Sequence, residues 1–313
     1  MLNGKVIGID VGKATLVVGQ NGTDETKTFF NTPNGIGKLL KHISQFHPEK
    51  VIVEACHYQK LVHRLLTEKG LKVHVANPFR ARAFANAFGA HGKTDAVDAR
   101  MLAEYGIALP TLPTPIPSID EESVKALLKR RNELIHNRAK EKNRRHKSPE
   151  MEASYVRSLE FIESEIKYID AQIDKMLEKD TLKAMCRNVE ILESIRGVGR
   201  TSALNFIVYL PELGTVNRRE IASLAGVAPR NNDSGNFSGK RFVGAGRSNV
   251  KHALYMCVLA AVQFNAELKH FYQHLKNKGK HNLICRVAVM KKLVVLMNTL
   301  IAEQRNWEPR MAE

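Results

Sequence analysis

Four acidic residues stand where their spacing could assemble chemistry. The apolar run VIGI (residues 6–9) ends on Asp10, and the run VIV (residues 51–53) ends on Glu54. Asp95 and Asp98 lie three apart in KTDAVDAR (residues 93–100), just after Thr94, a residue type suited to capping a helix start. A three-residue spacing places both on one helix face. If the two apolar runs are neighbouring parallel strands, Asp10 and Glu54 leave the sheet at the same carboxyl edge, where open α/β sheets hold ligands. Four converging carboxylates repel one another and are tolerable only with cations between them. Hard oxygen donors select Mg²⁺ or Mn²⁺. Two such ions about 4 Å apart activate a nucleophile and stabilise a leaving oxygen in phosphoryl transfer. Singly, each acid reads as a turn former, a helix N-terminal charge or a surface residue. Jointly, two strand-end acids and a same-face helical pair form a far more specific pattern.

The elements that must position these acids alternate through residues 5–107. Apolar runs at 6–9, 14–18 and 26–30 read as strands, the first two as a hairpin turning near Gly12. Ile36, Leu39, Leu40 and Ile43 have helical spacing. A strand at 51–53, a helix through Leu61, Leu65 and Leu66 stopped by Gly70, and a strand at 71–75 ended by Asn77-Pro78 follow. Two helices over 81–88 and 94–105 complete the pattern. It predicts a mixed sheet flanked by helices.

Pro110, Pro113, Pro115 and Pro117 punctuate a linker, so the first domain is expected over residues 1–117. A helical middle region (118–186) and a mostly helical third region (187–313) with a polar, Gly-rich insertion at 230–247 follow. Residues 125–147 carry ten Lys and Arg against two acids, Glu133 and Glu141. Arg130, Arg131, Arg138, Arg144 and Arg145 belong to this stripe, which reads as a nucleic-acid contact or as a solvated helix face. A break is expected at Ser148-Pro149. Tyr155, Leu159, Ile162, Ile166, Ile169, Ile173 and Met176 then alternate spacings of four and three, a coiled-coil seam. The seam alone fits a hairpin with the basic helix and a dimer equally. Gly197 and Gly199, in IRGVGR (195–200), read as a helix–hairpin–helix turn whose backbone N–H groups approach a phosphate, or as a tight structural turn.

The chain has 313 residues, and 48 Lys and Arg against 32 acids give +16 and a pI near 9.7. That surplus favours a polyanion partner. Aromatic residues make up 6%, so phosphate contacts rather than base stacking are expected to dominate binding. Cys56, Cys186, Cys257 and Cys285 have neither zinc-site nor disulfide-framework spacing, so reduced thiols and a cytoplasmic setting are expected. The start, MLNGKVIGIDVGK, lacks the pattern of a signal peptide. The apolar stretches at 253–264 and 287–301 are too short or too interrupted for membrane spans.

The motifs GIDVGK, VIVEACHY, VANP and HGKTDAVDARMLAEY, followed by ILESIRGVGRTSA, IASLAGVAPRNNDSG and HALYMCVLAA, resemble the DEDD transposases of Piv-type insertion sequences in that family's order and over nearly the whole chain. The resemblance implies an α/β RuvC-like (ribonuclease H-like) N-terminal domain, a helical coiled-coil middle and a mostly α C-terminal domain. It implies a DNA recombinase or transposase with Asp10, Glu54, Asp95 and Asp98 as a Mg²⁺- or Mn²⁺-binding tetrad. Ser234 would be the nucleophile that forms a 5′-phosphoserine intermediate, with Ser238 in a second Ser-Gly pair as the alternative. Double-stranded DNA (element ends and target), a noncoding bridge RNA, and homodimers or tetramers that share composite sites are the implied partners. Apart from the resemblance, Arg230, Lys240, Arg241, Arg247 and Lys251 around the serine read as residues that hold the DNA backbone or as a solvated basic loop. A serine hydroxyl needs a base or a metal to become nucleophilic, and no histidine lies near Ser234 in sequence.

Three other readings make different demands. A RuvC-like nuclease using water needs no serine. An actin-like kinase would use GIDVG as a phosphate loop, but leaves the Asp95/Asp98 pair without a role. A nucleic-acid binder with a dead catalytic fold does not account for four intact acids.

Overall fold

The computed structural model describes residues 4–90, 92, 94–145, 149–230, 233–234, 237–239, 242–244 and 246–309. For Arg145, Pro149, Arg230, Asp233, Ser234, Phe237 and Ser238 it describes the backbone alone. The chain divides into two units, Met1–Ile116 and Pro117–Glu313.

Unit 1 is built on β1 (Val6–Val11), β2 (Thr15–Gln20), β3 (Thr26–Phe30), β4 (Lys50–Glu54) and β5 (Val73–Ala76). Their order is β3-β2-β1-β4-β5, with β1 antiparallel to β2, β2 antiparallel to β3, and β1, β4 and β5 parallel. This is the ribonuclease H-like mixed sheet. The helices are α1 (Pro33–Ser44), α2 (Gln59–Glu68), α3 (Pro78–Ala87) and α4 (Asp95–Ala108). The strand period of two sorts side chains between the faces. Ile7, Ile9, Val51 and Val53 pack with Ile36, Leu39, Val62 and Leu66 of α1 and α2. Val6 and Ile52 pack with Leu102 and Tyr105 of α4. Asp10 and Glu54, even-numbered like Val6 and Ile52, therefore belong to the α4 face. That helix also lies on the sheet at very short range. A Cβ on Gly8 would run into the Ala99 carbonyl and stand 2.5 Å from the Ala103 nitrogen, so only glycine permits the approach.

Unit 2 opens with α5 (Ile119–Arg145) and α6 (Glu152–Leu177). They pack on each other within the chain, so the heptad seam has an intramolecular partner in α5. Leu159, Ile162, Ile166, Ile169 and Ile173 are buried, and Leu177 rather than Met176 closes the row. Arg131 reaches across to Asp170 with two hydrogen bonds, at 2.5 and 3.1 Å. The remaining helices are α7 (Lys183–Glu193), α8 (Arg200–Tyr209), α9 (Arg218–Leu224), α10 (Ser248–Phe264), α11 (Ala266–Asn277) and α12 (Asn282–Ala302). The two apolar stretches noted in the sequence fall in α10 and α12. There Leu254, Val258, Leu293, Val294 and Met297 are buried in the core. No helix among the described residues is long and apolar enough to cross a membrane. All four cysteines are free thiols.

Between α9 and α10 the polar insertion forms two short ladders. β6 (Pro229–Arg230) pairs with β9 (Phe242–Val243), and between them in sequence β7 (Asp233–Ser234) pairs with β8 (Phe237–Ser238), both antiparallel. Glycine richness and scattered polar residues leave no strand period to read there.

Candidate active site and nucleic-acid interface

Asp10 lies one residue from the end of β1, and Glu54 ends β4. The parallel register sets Ile9 beside Val53, so the two acids leave adjacent strands side by side. The rim is tied together locally. Cys56 donates its S–H to the Val11 carbonyl at 3.4 Å, and the Ala55 N–H donates to the Ala76 carbonyl at 3.0 Å. On α4, Thr94 caps the helix by accepting from the Val97 N–H at 3.3 Å. That cap sets Asp95 in the first turn and Asp98 on the same face, with Asp95 exposed and Asp98 half-buried.

Asp10 feels the charges of the other three acids. The Asp10 carboxyl is pushed up from 3.8 to about 6, first by burial and then by the negative charges of Asp95, Asp98 and Glu54. A hydrogen bond from the Val11 N–H works the other way. Glu54 and Asp98 line a cavity of about 200 Å³ with Pro78, Ala81, Arg82 and Met101. Among the described residues no three His, Cys, Asp or Glu side chains form a ready-made metal cage, so an ion held here would have to draw the acids inward. The donors are all carboxylate oxygens, which suits a hard divalent cation.

Arg82 of α3 is a residue that local sequence patterns do not single out. Its Nη1 stands 3.9 Å from the Asp98 carboxylate. The only hint in sequence is the Asn77-Pro78 helix start, where the Asn77 side chain accepts from the Arg80 N–H at 3.2 Å. Nothing in the local spacing tells which face of α3 meets α4.

The other candidate residues lie in unit 2. On α5, Lys125, Lys129, Arg130, Lys140, Lys142 and Arg144 are exposed and Arg138 is half-exposed. Arg130 and Arg144 pair locally with Glu133 and Glu141. Arg131 is turned toward Asp170 and is nearly buried. Gly197 and Gly199 occupy the turn between α7 and α8. Gly197 has φ +101°, and a Cβ there would stand 2.6 Å from the Ala261 Cα, so its glycine serves packing against α10. Gly199 faces open space at the start of α8. Ser234 lies opposite Phe237, and Ser238 lies opposite Asp233, in the β7–β8 ladder. Arg230 lies in β6. Lys240 and Arg241 fall outside the described residues. Arg247 gives both terminal nitrogens to Glu212, at 2.5 and 2.6 Å, and its N–H to the Leu224 carbonyl at 3.0 Å. These bonds anchor the base of the insertion.

A family model of DEDD transposases of the IS110 type matches residues 7–148. A second, described as the transposase IS116/IS110/IS902 family, matches residues 189–273. The chain belongs to the IS110-type DEDD transposases. This transposase is therefore a DNA-cleaving enzyme of the recombinase class, with DNA as its partner. Among curated proteins it is similar to the pilin gene-inverting proteins of Moraxella bovis and Moraxella lacunata. Each is 28% identical and aligned over 98% of both chains. Among solved structures, Thermus thermophilus RuvC with a Holliday junction substrate is 17% identical, covering 36% of this chain and all of that one at a TM-score of 0.29. A second Thermus thermophilus RuvC structure gives 18% identity, 35% and 99% coverage, and 0.26.

Proposed function

We propose that this transposase cuts DNA and rejoins it in a new order, with Asp10, Glu54, Asp95 and Asp98 holding Mg²⁺ or Mn²⁺ and Ser234 acting as the nucleophile. The observation that carries the reading is the placement of the acids, with Asp10 and Glu54 leaving adjacent parallel strands at one sheet rim and Glu54 and Asp98 lining one cavity; the upward push on the Asp10 carboxyl, first by burial and then by the three other acids, agrees with it. A cluster of one charge sign at a sheet rim costs stability unless a cation offsets it, and such clustering marks functional sites. When bound, a divalent cation supplies activation of the attacking hydroxyl and takes up charge on the departing oxygen. The chain's own groups do the rest. The four carboxylates fix the place of reaction, and Arg82, beside Asp98, is set to grip a phosphate oxygen of the strand.

In this reading the Ser234 Oγ forms a bond to phosphorus as the bond to the 3′ oxygen breaks. The serine proton passes to a base, and the departing 3′ oxygen takes one up. A free 3′-hydroxyl then attacks the phosphoserine, restoring the diester and the serine. Support for Ser234 comes from the Pro229 and Ser234-Gly235 match. Support for a noncoding guide RNA, and for assembly into dimers or tetramers, comes from the same family resemblance and from the exposed basic residues of α5. Relatives aligned end to end are named for inverting a pilin gene, so inversion of a DNA segment is the first reaction to assay.

The test is a denaturing gel of the enzyme reacted with labelled DNA. Wild type is expected to show a covalent protein–DNA adduct that Ser234→Ala loses and Ser238→Ala keeps. Cutting by Ser234→Ala without any adduct would replace the serine mechanism with hydrolysis by water.

A further inference from the structure

Unit 1 carries a second groove, at the other end of its sheet and on the other face from the carboxylates. It is a cavity of about 400 Å³ bounded by the start of β1, the end of β2, the start of β3 and the end of α1. Lys5 lies five residues before Asp10, about 17 Å away at strand rise, and Ile7, two residues on from Lys5, packs with α1 and α2. The registers of Ile7 with Gln20 and of Gly19 with Thr26 bring the lining together, while Asp10 pairs with Val17 at the opposite end.

The lining has a consistent chemistry. The Lys27 ammonium lies 5.8 Å from the centre of the Phe29 ring, and the Lys5 ammonium lies 5.7 Å from that of Phe46. The His42 ring stands between the two phenyl groups, 5.6 Å from Phe29 and 5.2 Å edge-on from Phe46. Rings hold both cations at the groove rather than leaving them to sweep through solvent. Among the described residues neither ammonium forms an ion pair with a carboxylate, although Glu25 also lines the cavity. Gln20, Thr23 and Thr26 add an amide and two hydroxyls. His42 is held below its ordinary value first by burial and then by the charge of Lys27. Bulk composition hides this groove. Aromatic residues are few in the chain, but the fold gathers two phenyl rings and an imidazole here.

We propose that this groove binds the phosphodiester backbone of a single nucleic-acid strand, with Lys5 and Lys27 on successive phosphates and Gln20 and Thr26 donating to their oxygens. Its volume is that of a small-ligand site, enough for a strand segment of nucleotide size. DNA and RNA share this chemistry, and the test has an arm for each. The proposal does not depend on the carboxylate site, so the test is run in chelator, where that site's metal chemistry is silent.

The experiment is fluorescence anisotropy of the full chain with a labelled ten-nucleotide strand, as DNA and as RNA, over a salt series. Wild type is compared with Lys5→Gln/Lys27→Gln, with Phe46→Leu, and with Lys278→Gln/Lys280→Gln as a control of equal charge change elsewhere. Removing two phosphate contacts is expected to lower affinity about tenfold and to flatten the salt slope by roughly 1.4. The control should change neither. The His42 imidazole, followed by NMR, should rise in pKa when the strand is bound and should not respond in the lysine double variant. A loss for RNA alone, or for DNA alone, upholds the site and names its source. Unchanged slope in the Lys5/Lys27 variant, or an equal loss in the control, overturns the proposal. Circular dichroism melts verify that the lysine variants stay folded, so the outcome does not rest on Phe46→Leu.

Discussion

At the residue scale, the electrostatics of Asp10 make two predictions. Its folded-state pKa lies above the unfolded value, so protonation favours the folded state. The associated stability is fully present below about 3.8 and is lost as pH rises through about 6. Metal-free protein should therefore melt higher at pH 4.5 than at pH 7 as far as this group is concerned. Added Mg²⁺ should shrink that difference, and Asp10→Asn should do the same without metal. A melting temperature that ignores both the cation and the Asn variant would remove the case for a shared carboxylate site. Asp98→Asn is expected to abolish cutting while leaving DNA affinity within about twofold in a binding assay, since one charge at this site is little of the total. Arg82→Ala should cut cleavage by roughly tenfold to a hundredfold, the scale of one charge-assisted hydrogen bond of about 1.5–3 kcal/mol. Arg82→Lys should recover part of it. Of these residues, the four acids stand out in sequence because strand ends and helical spacing are local patterns. Arg82 was not, because its significance rests on a helix–helix contact.

At the element scale, the position of α4 on the sheet is the device that brings Asp95 and Asp98 to Asp10. It depends on the missing side chain at Gly8. Gly8→Ala would push a methyl group into the helix backbone at Ala99 and Ala103. The expected cost is about 3 kcal/mol, the upper range for overpacking, read as a shift in the urea midpoint. Cleavage should fall more than the stability loss explains, because the helix carrying two acids is displaced. The α5–α6 pair has its own fastening in Arg131 and Asp170. Arg131→Met keeps the stem that packs and loses the ion pair, so about 1–2 kcal/mol of destabilisation is expected for a bidentate, partly buried pair. The heptad spacing made the seam readable and left its partner open. A seam looks the same whether the opposing helix follows in the chain or belongs to another copy.

For the whole molecule, the surplus of +16 predicts binding dominated by phosphate contacts and steeply weakened by salt. Replacing Lys125, Lys129, Lys140 and Lys142 with Gln should flatten the logarithmic salt slope for duplex DNA by roughly 3–4 if all four reach phosphates. Titration at several salt concentrations checks this, and an unchanged slope would make the α5 face a solvated surface. The same charge count also shows where composition misleads. Arg131 and Arg247 belong to the basic excess, yet one fastens two helices and the other anchors the base of the insertion on Glu212. Net charge counts such residues as available to a polyanion, although each is already engaged within the fold.

Whatever repeats at short range was readable from the amino-acid order alone. The strand alternation that turns Asp10 and Glu54 to one face, the cap at Thr94 and the apolar seam of α6 each follow from a local residue pattern. Tertiary structure decided the rest: which helix lies over β1 and how close it comes, what the α6 seam packs against, which arginines are spoken for, and the groove of lysines and rings at the far end of the sheet. Those outcomes depend on partners far away along the chain. Their meeting is set by packing and by backbone approach, and no local spacing records either.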